Sequence, residues 1–167
     1  MEYEERIIIP NFIFEKKLSN LAFAIAVALY NFNAIADHND DSMFSVIYLP
    51  KHVARLCRLS TDATRKHIGE LRETDIIVKS TKTKRGYTRY YLKKFEQLAE
   101  NYTTLSKAKY YAIEPELLQA YLTVCYCNKH NISISALDTK PVGLRKLVIK
   151  GYIAPRGDTY TMLKGEL

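Results

Sequence analysis

The chain has 167 residues with a formal net charge of +7 at pH 7, and 47% of the residues are hydrophobic. That length and hydrophobic content allow a buried core, in one domain or in two small modules that share an interface, and they exclude a disordered protein. The positive charge indicates an acidic partner, although the total alone does not distinguish nucleic acid from a membrane or an acidic protein.

The first part of the chain predicts an extended segment followed by a buried helix. Ile7–Ile9 favours a short strand, because Pro10 and the weak alternation disfavour a helix. Ser19 can cap a helix over Leu21–Phe32, in which alanines alternate with large apolar side chains. This stretch is too short to cross a bilayer, and the acidic N-terminus lacks the basic lead of a secretory signal. We therefore expect a cytoplasmic protein without a membrane partner.

A polar, turn-rich segment follows at 33–45. Its run of Asp, His and Asn, from Asp37 to Asp41, can hold a divalent ion, but such a run is more typical of a loop tip. We interpret it as a loop. Phe44–Leu49 then predicts a short strand.

The next segment predicts a helix that begins at Pro50, which suits a first turn, and ends near Leu59. Its outer side carries one basic stripe, formed by Lys51, Arg55 and Arg58. Ser60 is a good N-cap for a second helix that runs to about Thr74. The outward face of that second helix carries Asp62, Arg65, Lys66 and Gly69.

Two β-rich runs, Ile76–Val78 and Tyr87–Leu92, predict a hairpin with a basic tip between them. Residues 49–94 contain thirteen Lys and Arg against four Asp and Glu, an excess that is larger than the net charge of the whole chain. The positive charge is therefore local to these two helices and the hairpin.

The rest of the chain predicts a connector and a second module. The polar segment 98–112 is the connector, and helix is an open alternative for Lys93–Tyr102. It divides the chain into a first domain, 1–97, and a second small domain, 113–167. The sequence of the second domain predicts a helix, a short element, a helix that ends at Gly151, and a hairpin. The order of helix, short helix, helix and hairpin thus occurs twice.

The segment Leu49–Leu71 resembles the helix-turn-helix of bacterial winged-helix proteins. Together with Ile9-Pro10-Asn11 and Leu18-Ser19 before the apolar helix, it is similar to the N-terminal winged-helix domain of replication initiators from plasmids and phages of Gram-positive bacteria. The resemblance covers about residues 7–92. It implies an α+β, mainly helical fold, with a winged helix-turn-helix followed by a reduced winged-helix-like module.

This chain departs from the family at two positions that the family usually fills with glycine. Arg58 stands in the tight turn between the two helices, and Asp75 stands after the second helix. The second module resembles a reduced winged helix only in its element order and in Leu147–Ile153.

The resemblance implies that the helix from Thr61 to Thr74 lies in the major groove of DNA, with Arg65 as the residue that reads guanine. A single basic stripe on a helix is as consistent with a solvated surface as with DNA binding. Here both helices and the hairpin carry basic residues, and this combination favours DNA binding. The candidate DNA-binding residues are Lys51, Arg55, Arg58, Thr61, Asp62, Arg65, Lys66, Lys82, Lys84, Arg85 and Arg89.

The sequence favours a protein that is not an enzyme and holds no metal or cofactor. Cys125, Cys127 and His130 could suggest a metal site, but no fourth ligand is evident. The two cysteines also point about 200° apart on a helix. The odd number of cysteines also argues against a disulfide framework. Four scattered histidines do not form the metal site that a nicking tyrosine needs, and no phosphate-cradling glycine loop is present.

Three functions fit these residues. The first is a protein of a plasmid, phage or mobile element that binds double-stranded DNA at an origin and recruits replication proteins. The second is a transcription regulator, and the third is a winged-helix protein-interaction module that does not bind DNA. The expected partners are duplex DNA, a second copy in a homodimer, and a replication or transcription protein.

Overall fold

The structure is a computed structural model and describes residues 5–32, 34–35, 43–96, 98–137 and 141–163. Within these ranges the fold is α+β, about half helical, with six α-helices and three small antiparallel sheets. No helix in the described ranges is long and apolar enough to span a membrane. The loop predicted at Asp37–Asp41 lies outside the described residues.

The first half of the chain forms a strand, a central helix and a helical pair that ends in a hairpin. The bounds are β1 Arg6–Pro10, a 3-10 helix Asn11–Glu15, α1 Asn20–Phe32, β2 Ala34–Ile35, β3 Met43–Tyr48, α2 Pro50–Leu56, α3 Thr61–Glu73, β4 Ile77–Lys82 and β5 Thr88–Lys93. Strands β2 to β5 form one sheet in the order β2-β3-β5-β4.

The second half adds a strand, three helices and a second hairpin. The bounds are a 3-10 helix Ala99–Asn101, β6 Tyr102–Ser106, α4 Lys107–Ala112, α5 Pro115–His130, a 3-10 helix Ile134–Ala136, α6 Leu144–Ile149, β7 Ile153–Arg156 and β8 Thr159–Met162. The hairpin β7–β8 forms a sheet of its own.

Helix α1 lies at the centre of the core. Ser19 Oγ accepts a hydrogen bond from Ala22 N at 3.2 Å and so caps the helix, as its sequence predicts. Every residue from Ala22 to Leu29 is buried. A helix that is apolar on all sides needs cover on all sides, and α1 packs against α2, α3, α5 and β1.

The segment 98–112, expected to be a polar connector, is built into the fold. Strand β6 pairs antiparallel with β1, with Ile7 opposite Leu105 and Ile9 opposite Thr103. Of the helix considered for Lys93–Tyr102, the described residues form a 3-10 helix at Ala99–Asn101, because β5 extends to Lys93 and β6 begins at Tyr102. Alternating Thr103 and Leu105 are buried against the core, and their partner strand is almost a hundred residues earlier.

The hydrophobic core runs through the expected domain boundary. Side chains from both halves belong to one buried cluster. The rings of Phe14 and Tyr126 stack with centroids 4.6 Å apart, and those of Phe32 and Tyr110 lie 5.0 Å apart. Gln119 Nε2 also donates to the carbonyl of Leu18 at 3.1 Å. The two halves therefore share a common apolar interior.

Helix α2 ends at Leu56, three residues earlier than predicted, because the chain turns out of the helix at Arg58. Arg58 has φ +51° and Asp75 has φ +59°, both in the left-handed region that favours glycine. In each case the next residue donates to a carbonyl five residues back, Leu59 to Ala54 at 2.9 Å and Ile76 to Leu71 at 3.0 Å. These are Schellman ends.

The junction between helix and hairpin has the same geometry in both halves. The N–H of Ile76 donates to Leu71, and the N–H of Tyr152 donates to Leu147 at 2.9 Å, through left-handed Asp75 and Gly151. Each hairpin then returns a hydrogen bond to the carbonyl of Ile76 or Tyr152, at 3.0 Å in both. The predicted repetition of element order thus extends to the hydrogen bonds of this junction.

Glu70 connects α3 to the start of α1. Its carboxylate accepts from the backbone N–H of Ser19 and, at 2.8 Å, from Ser19 Oγ. His67 Nδ1 lies 3.4 Å from Ser19 Oγ and 3.5 Å from Glu70 Oε2. This cluster fixes the position of α3 on the core.

Replacing Glu70 by alanine should lower the free energy of unfolding by about 1–2 kcal/mol, because the capping Ser19 loses the acceptor of two hydrogen bonds. Urea unfolding followed by circular dichroism measures the change. Glu73, exposed in the same helix, gives the matched control, and Glu73→Ala should change stability by less than about 0.5 kcal/mol. Equal effects of the two substitutions would contradict this role of Glu70.

Candidate nucleic-acid interface

The exposed face of α3 carries four of the residues that the sequence predicts to contact DNA. Asp62, Arg65 and Lys66 are exposed, and Thr61 is half-buried beside them. Arg65 Nη1 donates to Asp62 Oδ1 at 2.9 Å, with side chains that are 62% and 91% exposed. Such an exposed pair contributes little to stability, so Arg65 can exchange Asp62 for another acceptor at small cost.

A groove of about 520 Å³ separates α3 from the β4–β5 hairpin. Arg65 and Arg72 line it from α3, and Lys82 lines it from β4. The spacing of seven residues puts the two arginines on one side of the helix. The remaining hydroxyl groups and rings in the lining come from Tyr48, Ser80, Thr81, Tyr87, Thr88 and Tyr90.

Arg72 holds the hairpin against α3. Its Nη2 donates to Ser80 Oγ at 3.2 Å, and its guanidinium lies 5.6 Å from the ring centroid of Tyr90. The sequence prediction missed Arg72 as a site residue, although its spacing from Arg65 is a readable signal.

The tip of the hairpin is basic and exposed, as predicted. Lys84 and Arg85 lie in the turn, which Thr83 N closes by donating to the carbonyl of Tyr87 at 2.9 Å. Lys82 Nζ donates to Thr88 Oγ1 at 2.7 Å. The hairpin therefore presents one cation to the groove and two at its end.

Arg89 does not face this groove. Successive residues of a strand point to opposite faces, and Thr88 and Tyr90 take the face towards α3. Arg89 instead lines a separate depression of about 490 Å³ on the other face, together with Lys84 and Arg85. Hydrogen bonds from Thr81 and Arg89 lower the pKa of Tyr91.

Tyr48 lines the groove, but its hydroxyl group is buried. Its Oη makes no hydrogen bond to any residue that the structure describes. Burial raises the pKa of this phenol to about 12, with a smaller effect of neighbouring Tyr90 in the same direction.

The basic stripe predicted for α2, formed by Lys51, Arg55 and Arg58, does not form one continuous surface in the structure. Lys51 is exposed next to Pro50, which lines the α3 groove. Arg55 and Arg58 line a different groove, between α2 and the α4–α5 segment. The structure therefore brings Arg65, Arg72 and Lys82 together, and it separates them from Arg55 and Arg58.

A metal site, a reactive thiol and a nucleophile triad each have weaker support than the basic groove in the described part of the chain. No group of three or more His, Cys, Asp or Glu side chains in these ranges can hold a metal ion. Cys57, Cys125 and Cys127 are free thiols, and burial raises the pKa of Cys57 to about 12. Ser19, His67 and Glu70 contain the groups of a nucleophile triad, but the Ser19 hydroxyl donates to Glu70 and caps α1.

No family model matches the chain, and no curated protein matches it.

Proposed function

We propose that the chain is a non-enzymatic protein that binds double-stranded DNA with the face formed by α3 and the β4–β5 hairpin. The observation that carries the proposal is the convergence of Arg65, Arg72 and Lys82 from two elements on one groove. Around them lie hydroxyl groups, the donors and acceptors that commonly contact phosphate oxygens and base edges.

The fold that we propose for this module is a winged helix-turn-helix. Its support is the order α1, α2, α3 and hairpin, together with left-handed backbone at Arg58 and Asp75. These are the two positions at which the resembling family usually has glycine. In this arrangement α3 lies in the major groove, Arg65 reads guanine, and Lys82, Lys84 and Arg85 contact phosphates.

For the process we propose the replication-initiator type, in which the protein marks an origin on a plasmid, phage or mobile element and recruits replication proteins. The proposal rests on the resemblance of residues 7–92. A transcription regulator would use the same residues, so the location of the bound site separates the two functions.

Selection of duplexes from a random pool by the purified chain tests the proposal. We expect one motif to be enriched, with an affinity that falls steeply as salt rises because phosphate contacts release counterions. A chain that retains no duplex above the level of an unrelated basic protein would overturn DNA binding and favour the protein-interaction alternative.

Gly69 lies between Arg65 and Arg72 on the same face of α3. Apart from the adjoining backbone of α3, a Cβ added there would meet no atom of the described residues within 4 Å, so the fold itself does not require glycine. Glycine inside a helix costs about 0.5–1 kcal/mol relative to alanine. A close approach of DNA to this part of α3 explains why glycine stands there.

Gly69→Ala should therefore raise the free energy of unfolding by about 0.5–1 kcal/mol and weaken binding of the selected duplex. Thermal unfolding and a fluorescence anisotropy titration measure the two effects on one protein preparation. A variant that gains stability and keeps its full affinity would contradict a close approach at Gly69.

A further inference from the structure

A second groove, of about 270 Å³, lies between α2 and the α4–α5 segment. Its apolar lining includes Leu56, Ile113 and Leu118, of which Ile113 and Leu118 are buried. Its rim is formed by Arg55, Arg58 and the exposed ring of Tyr111. The groove has room for one or two side chains.

The two arginines of this rim have no carboxylate partner among the residues that the structure describes. Both are exposed, and neither lies within ion-pair distance of a carboxylate in the part of the chain that the structure describes. The nearby acid is Glu114, which accepts from Lys150 Nζ at 2.6 Å. The hydrogen bond from Lys150 is the main cause that lowers the pKa of Glu114, and Arg58 is the smallest contributor.

The backbone at Arg58 gives a second, independent observation. At φ +51° glycine would have no steric cost, whereas a residue with a Cβ is strained. Besides helix ends, strained residues of this kind cluster at functional sites. Arg58 therefore keeps a guanidinium at the edge of the groove in spite of the strain.

We propose that this groove binds a short acidic segment of a partner protein. An apolar side chain of the segment packs against Leu56, Ile113 and Leu118, and flanking carboxylates pair with Arg55 and Arg58. Bidentate pairs between arginine and carboxylate give such a site both affinity and orientation. An apolar pocket with arginine and tyrosine at its rim is typical of protein interfaces, whereas phosphates require no apolar pocket.

The test is a selection of short random peptides, displayed on phage, against the purified full chain. We expect enriched peptides that place an apolar residue beside Asp or Glu. Fluorescein-labelled copies of these peptides should lose at least about tenfold in affinity for an Arg55→Ser/Arg58→Gly variant, because two charge-assisted pairs are removed. Glycine suits the backbone at residue 58, so this variant should fold with undiminished thermal stability.

Two controls make the result specific to the groove. A Lys82→Ala/Lys84→Ala variant removes two cations elsewhere and should bind the peptides with unchanged affinity. Peptides in which Gln replaces each Glu, and Asn each Asp, should bind weakly to the wild-type chain.

Either of two results would overturn the proposal. One is the absence of peptides that prefer the wild-type chain to the Arg55→Ser/Arg58→Gly variant. The other is a loss of duplex DNA affinity in that variant as large as the loss in Lys82→Ala/Lys84→Ala, which would assign the arginines to DNA. Because the peptide measurement contains no DNA, its failure is distinguishable from failure of the proposed DNA binding.

Discussion

Replacing Arg65 by alanine should remove the preference for the selected duplex over random duplexes, with a loss of about 1–3 kcal/mol in binding free energy. The reason is that a bidentate contact to guanine is lost while the phosphate contacts remain. Replacing Lys82 and Lys84 together should weaken binding to all duplexes alike, and it should reduce the slope of log K against log salt by about 2. Anisotropy titrations of both duplexes over a salt series measure these two effects.

Lys17 provides the control for charge, because it is exposed and lies outside both grooves. Lys17→Ala should change affinity only through the lower net charge. If Arg65→Ala and Lys82→Ala/Lys84→Ala weakened selected and random duplexes in the same proportion, Arg65 would be a phosphate contact, and base reading by α3 would be contradicted.

A fragment of residues 1–97 should not unfold cooperatively, although it contains the whole proposed winged helix. Without residues 98–167, helix α1 loses α5 from its apolar surface, and β1 loses its partner β6. A helix that is apolar on all sides is not stable with one side in water. We expect a broad thermal transition and strong binding of a dye that recognises exposed apolar surface, whereas the full chain gives one sharp transition.

A second fragment, 1–112, separates the two causes. It restores the pairing of β1 with β6 and still lacks α5, so its behaviour should remain close to that of 1–97. Cooperative unfolding of the 1–97 fragment within a few degrees of the full chain would contradict a shared core and support two separate domains.

Local signals in the sequence were sufficient to predict most of the first half. Pro50 and Ser60 begin α2 and α3 as predicted, and Thr64, Ile68 and Leu71 form the buried side of α3. These features depend on neighbouring residues only, through fixed backbone geometry, capping and helical spacing. The ends of the two helices were less predictable, because Arg58 and Asp75 adopt a conformation that their side chains do not favour.

Contacts between distant segments were not readable from the sequence. Strand β6 has few apolar residues, and only its pairing with β1 identifies it. For the same reason the basic stripe of α2 looked like one surface. Packing of the α4–α5 segment against α2 puts Arg55 and Arg58 in a groove that is not the α3 groove.

The candidate site was predictable where one helix carries it. Arg65 follows directly from the outward face of α3, and Arg72 could have been found by extending that face by two turns. The presence of Tyr48 in the groove lining could not be predicted, because only the pairing of β3 with β5 brings it beside the hairpin.

Photo-crosslinking tests most directly whether DNA binds at α3. A benzophenone amino acid replaces Lys66 on the exposed face of α3 in one variant, and Tyr111 at the rim of the second groove in another. With the selected duplex at moderate salt, we expect crosslinks from position 66 and none above background from position 111. A variant at position 66 that binds the duplex without crosslinking to it, or crosslinks mainly from position 111, would contradict the α3 groove as the DNA site.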